Sequence, residues 1–256
     1  MKDTILFGDC RETLSQIDEK VRMCVTSPPY YGLRNYGDES NQIGQEDTPE
    51  EYIQNLVNIF RSVRNCLSDD GTLWVNIGDS YYNYRPGKGQ ALVQQSVSKS
   101  KQDLPDKCAR RGNKLEGLKE KDLIGIPWML AFALRADGWY LRQDIIWHKS
   151  NPMPESVRDR CTKSHEYMFL LSKNQNYYFD VDVIKEPTRR KRSVWNVSTK
   201  PYKGSHFAVF PPELITPCIL ASSEENDIIL DPFIGSGTTA MVAKELGRYY
   251  IGCELH

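Results

Sequence analysis

A hydroxyl, two prolines and an aromatic ring follow one another at Ser27-Pro28-Pro29-Tyr30. Proline lacks an N–H and fixes φ, so this turn is stiff and cannot extend a sheet. Its carbonyls remain as acceptors, Ser27 adds a side-chain acceptor, and Tyr30 offers a flat π face. A rigid rim of acceptors beside a stacking ring suits a planar base carrying an exocyclic NH2 group. A Pro-Pro pair alone is an ordinary strand-to-loop turn. The chemistry must therefore come from the company it keeps.

A second constellation lies near the other end, Asp231-Pro232-Phe233-Ile234-Gly235-Ser236-Gly237-Thr238-Thr239. Gly235 and Gly237 let the backbone approach a ligand, and a helix start beyond them offers unpaired N–H groups. The stretch lacks the Gly-Lys-Ser/Thr of a phosphate-gripping loop and is not G-x-G-x-x-G. Glu254 ends the next strand-like run, where its carboxylate can accept from two ribose hydroxyls. A glycine loop with an acid one strand later fits an adenosine-containing cofactor that needs no phosphate-binding lysine.

Charge is unevenly placed. The net charge is −1, yet Arg85 to Lys121 holds ten Lys/Arg against four Asp/Glu. Lys185 to Lys203 holds seven basic residues against Glu186 alone. Two basic islands in an acidic body are the footprint of a local polyanion site. Arg110-Arg111 mark the first island. Arg189-Arg190-Lys191-Arg192 mark the second, where Trp195 and Asn196 interleave as on nucleic-acid surfaces.

Seven scattered cysteines form no C-x-x-C pair, and with four scattered histidines they make no zinc framework. The cysteines' odd number and lack of pairing point to reduced thiols in a cytoplasm; no apolar run reaches 18 residues, so no membrane span is expected, and no leader pattern opens the chain. A length of 256 residues suits one α/β domain, 1–256, carrying basic recognition segments at about 84–118 and 185–206.

The elements that position these groups can be read from the pattern. Strands are expected at Thr4–Phe7, Val21–Val25, Thr72–Ile77, Trp139–Trp147, Glu166–Ser172, Asp227–Leu230 and Arg248–Cys253. Helices are expected over 11–20, from the Thr48-Pro49-Glu50-Glu51 capping box to Leu67, over Asp122–Ala136, from Pro212 to about Ala221, and from the glycine turn to Leu246. Such alternation implies a mostly parallel, doubly wound sheet, whose ligands sit at the carboxyl ends of the strands. Asp9, the Ser27–Tyr30 turn, the Asp231–Gly237 loop and Glu254 all fall at such ends.

At this point the chain resembles the S-adenosylmethionine-dependent amino-methyltransferases of DNA. Thr26-Ser27-Pro28-Pro29-Tyr30 is similar to their catalytic motif and Asp231–Gly237 to their cofactor motif. The catalytic motif comes first and the cofactor motif last, the circularly permuted β-type order. The resemblance spans nearly the whole chain, including Gly8-Asp9-Cys10, Trp147–Pro154, His206–Leu214 and Glu254. It implies a Rossmann-like methyltransferase fold and S-adenosyl-L-methionine as cofactor. Catalysis would fall to Ser27, Pro28, Pro29 and Tyr30. The cofactor would be bound by Asp9 near the adenine, Cys10, Asp231 at the amino group, Pro232, Phe233, Gly235, Gly237, Thr238, Thr239 and Glu254. It also implies double-stranded DNA as partner, in a prokaryotic or phage-infected cell; the basic islands, with Arg110, Arg111 and Arg189–Arg192, would contact it, and Lys149, beside the Pro loop, is open to a phosphate contact or a simple surface role. Monomer and homodimer both fit. The chain stops at His256 where such proteins continue into a further helix; a tolerated gap, a covering partner or a longer sequence would each account for it.

Hydrogen bonds from the NH2 to Ser27 Oγ and the Pro28 carbonyl would favour a pyramidal, more nucleophilic nitrogen. A paired base cannot reach such a site, so it must be flipped out, at a few kcal/mol of unstacking. Stacking on Tyr30, worth roughly 1–3 kcal/mol, offsets much of this. In the family it resembles, serine at the first motif position favours cytosine N4, whereas aspartate would favour adenine N6; adenine is the alternative. A non-catalytic DNA-binding protein on the same fold is the rival of another class. Methylation of RNA or a protein amide is a third, where Asn would usually replace Ser27. Asp79, at a strand end, is open to holding base or cofactor or to a structural turn.

Overall fold

The computed structural model describes residues 1–32, 42–82, 90–91, 109–110, 115–199 and 210–255. Among these residues are ten strands and five α-helices, in the order β1 Thr4–Phe7, α1 Cys10–Thr13, β2 Val21–Thr26, α2 Pro49–Cys66, β3 Leu67–Ile77, β4 Gln90–Ala91, β5 Ala109–Arg110, α3 Ile126–Ala136, β6 Tyr140–His148, β7 His165–Ser172, β8 Val194–Asn196, α4 Pro212–Ser222, β9 Ile228–Asp231, α5 Thr238–Glu245 and β10 Tyr249–Glu254. Eight of the strands form one sheet in the order β1-β10-β9-β2-β3-β7-β6-β8. The first five are parallel, and β7 alone runs against the rest. This is the doubly wound sheet expected from the alternation. β4 and β5 pair separately, inside the first basic segment, most of which lies outside the described residues.

Both faces of the sheet are buried, which is why its strands read as continuous apolar runs. Along β3, Leu73, Val75 and Ile77 enter a core with α2 and α3, while Trp74 enters the core under α4 and α5. β7 alternates likewise, with Phe169 and Leu171 on the first face and Met168 and Leu170 on the second. α2 begins as its sequence demands: Thr48 Oγ1 accepts from Glu51 N at 3.2 Å, and Pro49 occupies the first turn. No helix among the described residues is long and apolar enough to cross a membrane.

Three boundaries and one added strand depart from the pattern. The helix expected over 11–20 ends at Thr13 and tightens into a 3-10 turn, Leu14–Gln16. β3 starts at Leu67 rather than Thr72, and a register shift opposite Val21–Met23 absorbs the Asp69-Asp70-Gly71 stretch. α3 starts at Ile126 rather than Asp122, because Leu123 bridges to Tyr81 and Gly125 turns at φ 89°. β8 lies within the second basic segment and carried no strand signal; it adds a parallel edge beside β6.

The sheet turns back on itself at β9 and β2. From β9 the chain crosses by α5 to β10; from β2 it crosses by α2 to β3, on the other side. Such a switch point leaves a crevice at the strand ends. Gly252 of β10 keeps the neighbouring loop close: a Cβ there would lie 2.2 Å from Ile234 Cδ1 and 2.9 Å from its Cβ. Gly252→Ala is expected to destabilise the fold by about 1–3 kcal/mol through overpacking, read as a lowered denaturant midpoint at unchanged m-value.

Candidate active site

The two motifs, 205 residues apart, meet at this switch point. Thr26 Oγ1 donates to Asp231 Oδ1 at 2.6 Å, Thr239 Oγ1 donates to Asp231 Oδ2 at 2.6 Å, and Phe233 N donates to Oδ1 at 3.0 Å. Asp231 is 1 % exposed. Burial pushes its pKa up to about 6, against these three hydrogen bonds, and the negative charge of Glu254 adds to the rise. Asp231 therefore ties the end of β9 to the end of β2. Three of its roughly four acceptor positions are taken, leaving room for one more donor.

Next to it, the glycine loop has the backbone that the sequence requires. Gly235 and Gly237 have φ of 50° and 84°, and a Cβ at Gly237 would meet nothing within 4 Å. α5 starts there, with its N–H groups at the loop. Ser236 Oγ is buried, and no hydrogen bond among the described residues satisfies it. Gly8 N donates to the Glu254 carbonyl at 2.8 Å, so the ends of β1 and β10 are joined as well. Phe233 and Glu254 are half-buried and Pro232 is buried. An open glycine turn, an unsatisfied buried hydroxyl and two neighbouring carboxylates fit a polar, cationic nucleoside.

Two expected cofactor residues are also engaged within the fold. Asp9 caps α1, accepting from Arg11 N at 2.8 Å, and both its oxygens receive the Arg11 guanidinium. That guanidinium holds the Asp9 carboxyl below its ordinary range. Cys10 lies in the core with Leu14 and Cys253, and burial pushes its thiol up to about 12. Its side chain is packed in that core.

The catalytic turn is held from several sides. Tyr52 donates to the Pro29 carbonyl at 2.8 Å, so of the two proline carbonyls that one is already engaged. Gly44, at φ 88°, lies under the turn, where a Cβ would come 2.9 Å from the Tyr30 carbonyl. Glu46 holds Gly44 N at 2.8 Å and Asn55 Nδ2 at 2.9 Å. The Tyr30 hydroxyl donates to Glu166 Oε2 at 2.7 Å and lies 3.2 Å from Asn76 Oδ1. Burial and the Glu166 charge raise the Tyr30 phenol well above its ordinary pKa, while the Ser27 hydroxyl opposes the rise. Asp79 has the structural role: its carboxylate receives Ser80 N, Gly125 N and Ile126 N at 2.9–3.1 Å and so caps α3.

Thr26, Tyr52, Asn76 and Glu166 were not singled out by the sequence. Thr26 stood inside the motif and could have been. Glu166 reads as the polar start of an apolar strand, and only the reversed direction of β7 brings it to the rim.

The basic residues are less gathered. Lys149 turns inward to pair with Glu166 and lies over the Trp147 ring at 4.5 Å. Arg189 pairs with Glu186, and Lys191 lies 5.0 Å above the Trp195 ring. Arg189–Arg192 precede β8, and Lys185 and Lys191 border a shallow groove with Glu213, Thr216 and Leu220 of α4. The end of β8 continues to the rim: Asn196 Oδ1 is 2.8 Å from His148 Nδ1, and Thr199 N donates to Asn151 Oδ1 at 2.9 Å. Arg110 lies in β5; Arg111 and His206 fall outside the described residues.

A permuted doubly wound sheet with an acceptor-rich Ser-Pro-Pro-Tyr turn tied to a glycine loop is the architecture of an amino-methyltransferase. The family model of the N6/N4 DNA methylases matches residues 21–256, and the chain belongs to that family. It is 51 % identical over 265 residues to type II methyltransferase M.SmaI of Serratia marcescens, covering 98 % of this chain and 86 % of that protein. It is 49 % identical to type II methyltransferase M.Cfr9I of Citrobacter freundii, covering 99 % and 83 %. Among solved structures, the PvuII cytosine-N4-specific DNA methyltransferase superposes with a TM-score of 0.74 at 18 % identity, over 100 % of this chain and 83 % of that one. The M1.HpyAVI complex with S-adenosylmethionine superposes at 0.62 and 18 % identity, over 99 % and 92 %.

Proposed function

We propose that this chain, acting as one domain over residues 1–256, methylates the exocyclic N4 amine of a cytosine flipped out of double-stranded DNA, as a type II restriction–modification methyltransferase. The observation that carries the reading is the 2.6 Å hydrogen bond from Thr26 to Asp231, which joins the acceptor turn to the glycine loop. S-adenosyl-L-methionine, when bound, supplies the electrophilic methyl group. Asp231 would take its amino group with the remaining acceptor position, Glu254 its ribose hydroxyls, and Gly235 and Gly237 their close backbone contact. Phe233, Thr238 and Asp9 complete that side.

On the other side, Ser27 Oγ and the Pro28 carbonyl accept from the amine and draw its lone pair out of the ring. The Pro29 carbonyl stays with Tyr52, which holds the turn stiff. Positioning and electrostatics do most of the work, since no covalent enzyme intermediate is required. The proton leaves after transfer, when the nitrogen is cationic and acidic, so Asp79 can remain a helix cap. Serine at position 27 supports cytosine, as does the cytosine-N4-specific PvuII enzyme among the similar folds. N6 of adenine is the second reading, which the family model spans equally.

Labelled methyl transfer to unmethylated duplex DNA, followed by mass analysis of the nucleosides, decides between them. N4-methylcytosine is the expected product; N6-methyladenine alone would overturn the cytosine reading. Neutralising Arg189–Arg192 together is expected to weaken DNA binding and flatten its salt dependence. Arg189 and Lys191 already have partners, so Arg190 and Arg192 should account for a slope change of about two. Unchanged affinity and slope would remove this segment from the interface.

A further inference from the structure

Glu166 is a half-buried acid with no part in the chemistry above. It opens β7, the strand that runs against its neighbours, so its side chain enters at the catalytic rim rather than at the far edge. The side chain is 16 % exposed and pairs with Lys149, itself 21 % exposed. Its Oε2 receives the Tyr30 hydroxyl at 2.7 Å and Asn76 Nδ2 at 3.3 Å. Asn76, 1 % exposed, faces the same hydroxyl through Oδ1 at 3.2 Å and is anchored to the Tyr167 carbonyl at 3.1 Å. Gly78 closes the side of the ring, where a Cβ would stand 2.8 Å from Tyr30 Cε2.

Taking a carboxylate and an ammonium even partly out of water costs free energy that a neutral pair would not. What the charged pair adds is a strong, directional acceptor for one phenol. That phenol belongs to the ring that closes the acceptor turn. We propose that Glu166 is a positioning residue: with Asn76, and with Lys149 as its counter-ion, it fixes the plane of the Tyr30 ring against the base. Lys149 then acts inside the site and not as a phosphate contact. The inference rests on the reading of Tyr30 as a stacking platform for a flipped base.

The product analysis above, made on the unaltered protein, tests that reading by itself; no methylated base of either kind would end it whatever Glu166 does. Given a product, three variants test the inference: Tyr30→Phe, which keeps the ring and loses the hydroxyl, Glu166→Gln, which keeps an acceptor and loses the charge, and Glu166→Ala. Misplacement by about an ångström costs up to about a hundredfold in rate, so Tyr30→Phe and Glu166→Ala should each lower kcat by about tenfold or more. Cofactor affinity should stay within about twofold, since groups on the β9–β10 side are untouched. Glu166→Gln should retain more activity than Glu166→Ala. Combining Tyr30→Phe with Glu166→Ala should cost no more than the worse single change, because both act through one hydroxyl. Losses that multiply in the double variant, a fall in cofactor affinity and melting temperature that tracks kcat, or full activity in Glu166→Ala would each overturn the proposal.

Discussion

Ser27→Ala should lower the single-turnover rate of methyl transfer by about a hundredfold, the scale on which one preorganised polar contact to a reacting group acts. The hydroxyl it removes is half-buried at the end of β2 and lies beside the Tyr30 phenol. The residues that frame the glycine loop are elsewhere: Asp231 is held by Thr26, Thr239 and Phe233, none of which the substitution touches. Cofactor affinity should therefore change by no more than about twofold, and melting should be nearly unaltered, as for a surface-accessible small change. Rate and affinity thus separate. Equilibrium binding of the cofactor together with rapid-quench methyl transfer measures both. A collapse of binding at modest loss of rate would put Ser27 on the cofactor side and remove it from the amine.

The second large effect concerns pH. Asp231 has a folded pKa of about 6 against an ordinary value of 3.8, chiefly because burial disfavours its charge. The folded state thus holds this proton more tightly than the unfolded chain does. Its contribution to stability is full below about pH 4 and is lost as pH rises through about 6, some 3 kcal/mol at most. Asp9 and Asp70, whose carboxyls are held below their ordinary range, act in the opposite sense and lose stability as pH falls. The Asp231 share is best read as a difference from Asp231→Asn. The amide can still accept from Thr26 and Phe233 and can donate to Thr239, so the variant should fold. At pH 8 it should be as stable as the parent or more so, and the difference between the two should vanish toward pH 4. Function should move the other way. A cationic cofactor needs the carboxylate, so its affinity for the parent should fall as pH drops below about 6. The Asn variant should bind about tenfold more weakly at neutral pH and without that dependence. If the stability difference is flat with pH, Asp231 does not titrate in this range.

These two residues also mark how much the sequence carried. Ser27 and Asp231 were both legible, because each stands in a short contiguous motif whose residue types restrict the backbone. So were most helices and strands, since period and caps are local: Thr48 and Pro49 announce α2, and the structure uses both. The four strand-end groups were legible for the same reason, given that a βα alternation forces a parallel sheet.

Long-range partnership decided the rest. No local signal says that Thr26 will meet Asp231, or that the Pro29 carbonyl will be occupied by Tyr52. Asp9 and Asp79 look alike in sequence as acids after glycine; Asp9 finds its partner two residues on, in Arg11, whereas tertiary contact makes Asp79 the cap of a helix some 46 residues away. Lys149 reads as a free cation until Glu166 arrives beside it. Glu166 arrives only because β7 runs antiparallel, and strand direction is set by the pairing of whole segments. Local types and spacings determined which groups this protein has at its strand ends. The order and direction of its strands, chosen by burial summed over both faces of the sheet, decided which of those groups touch.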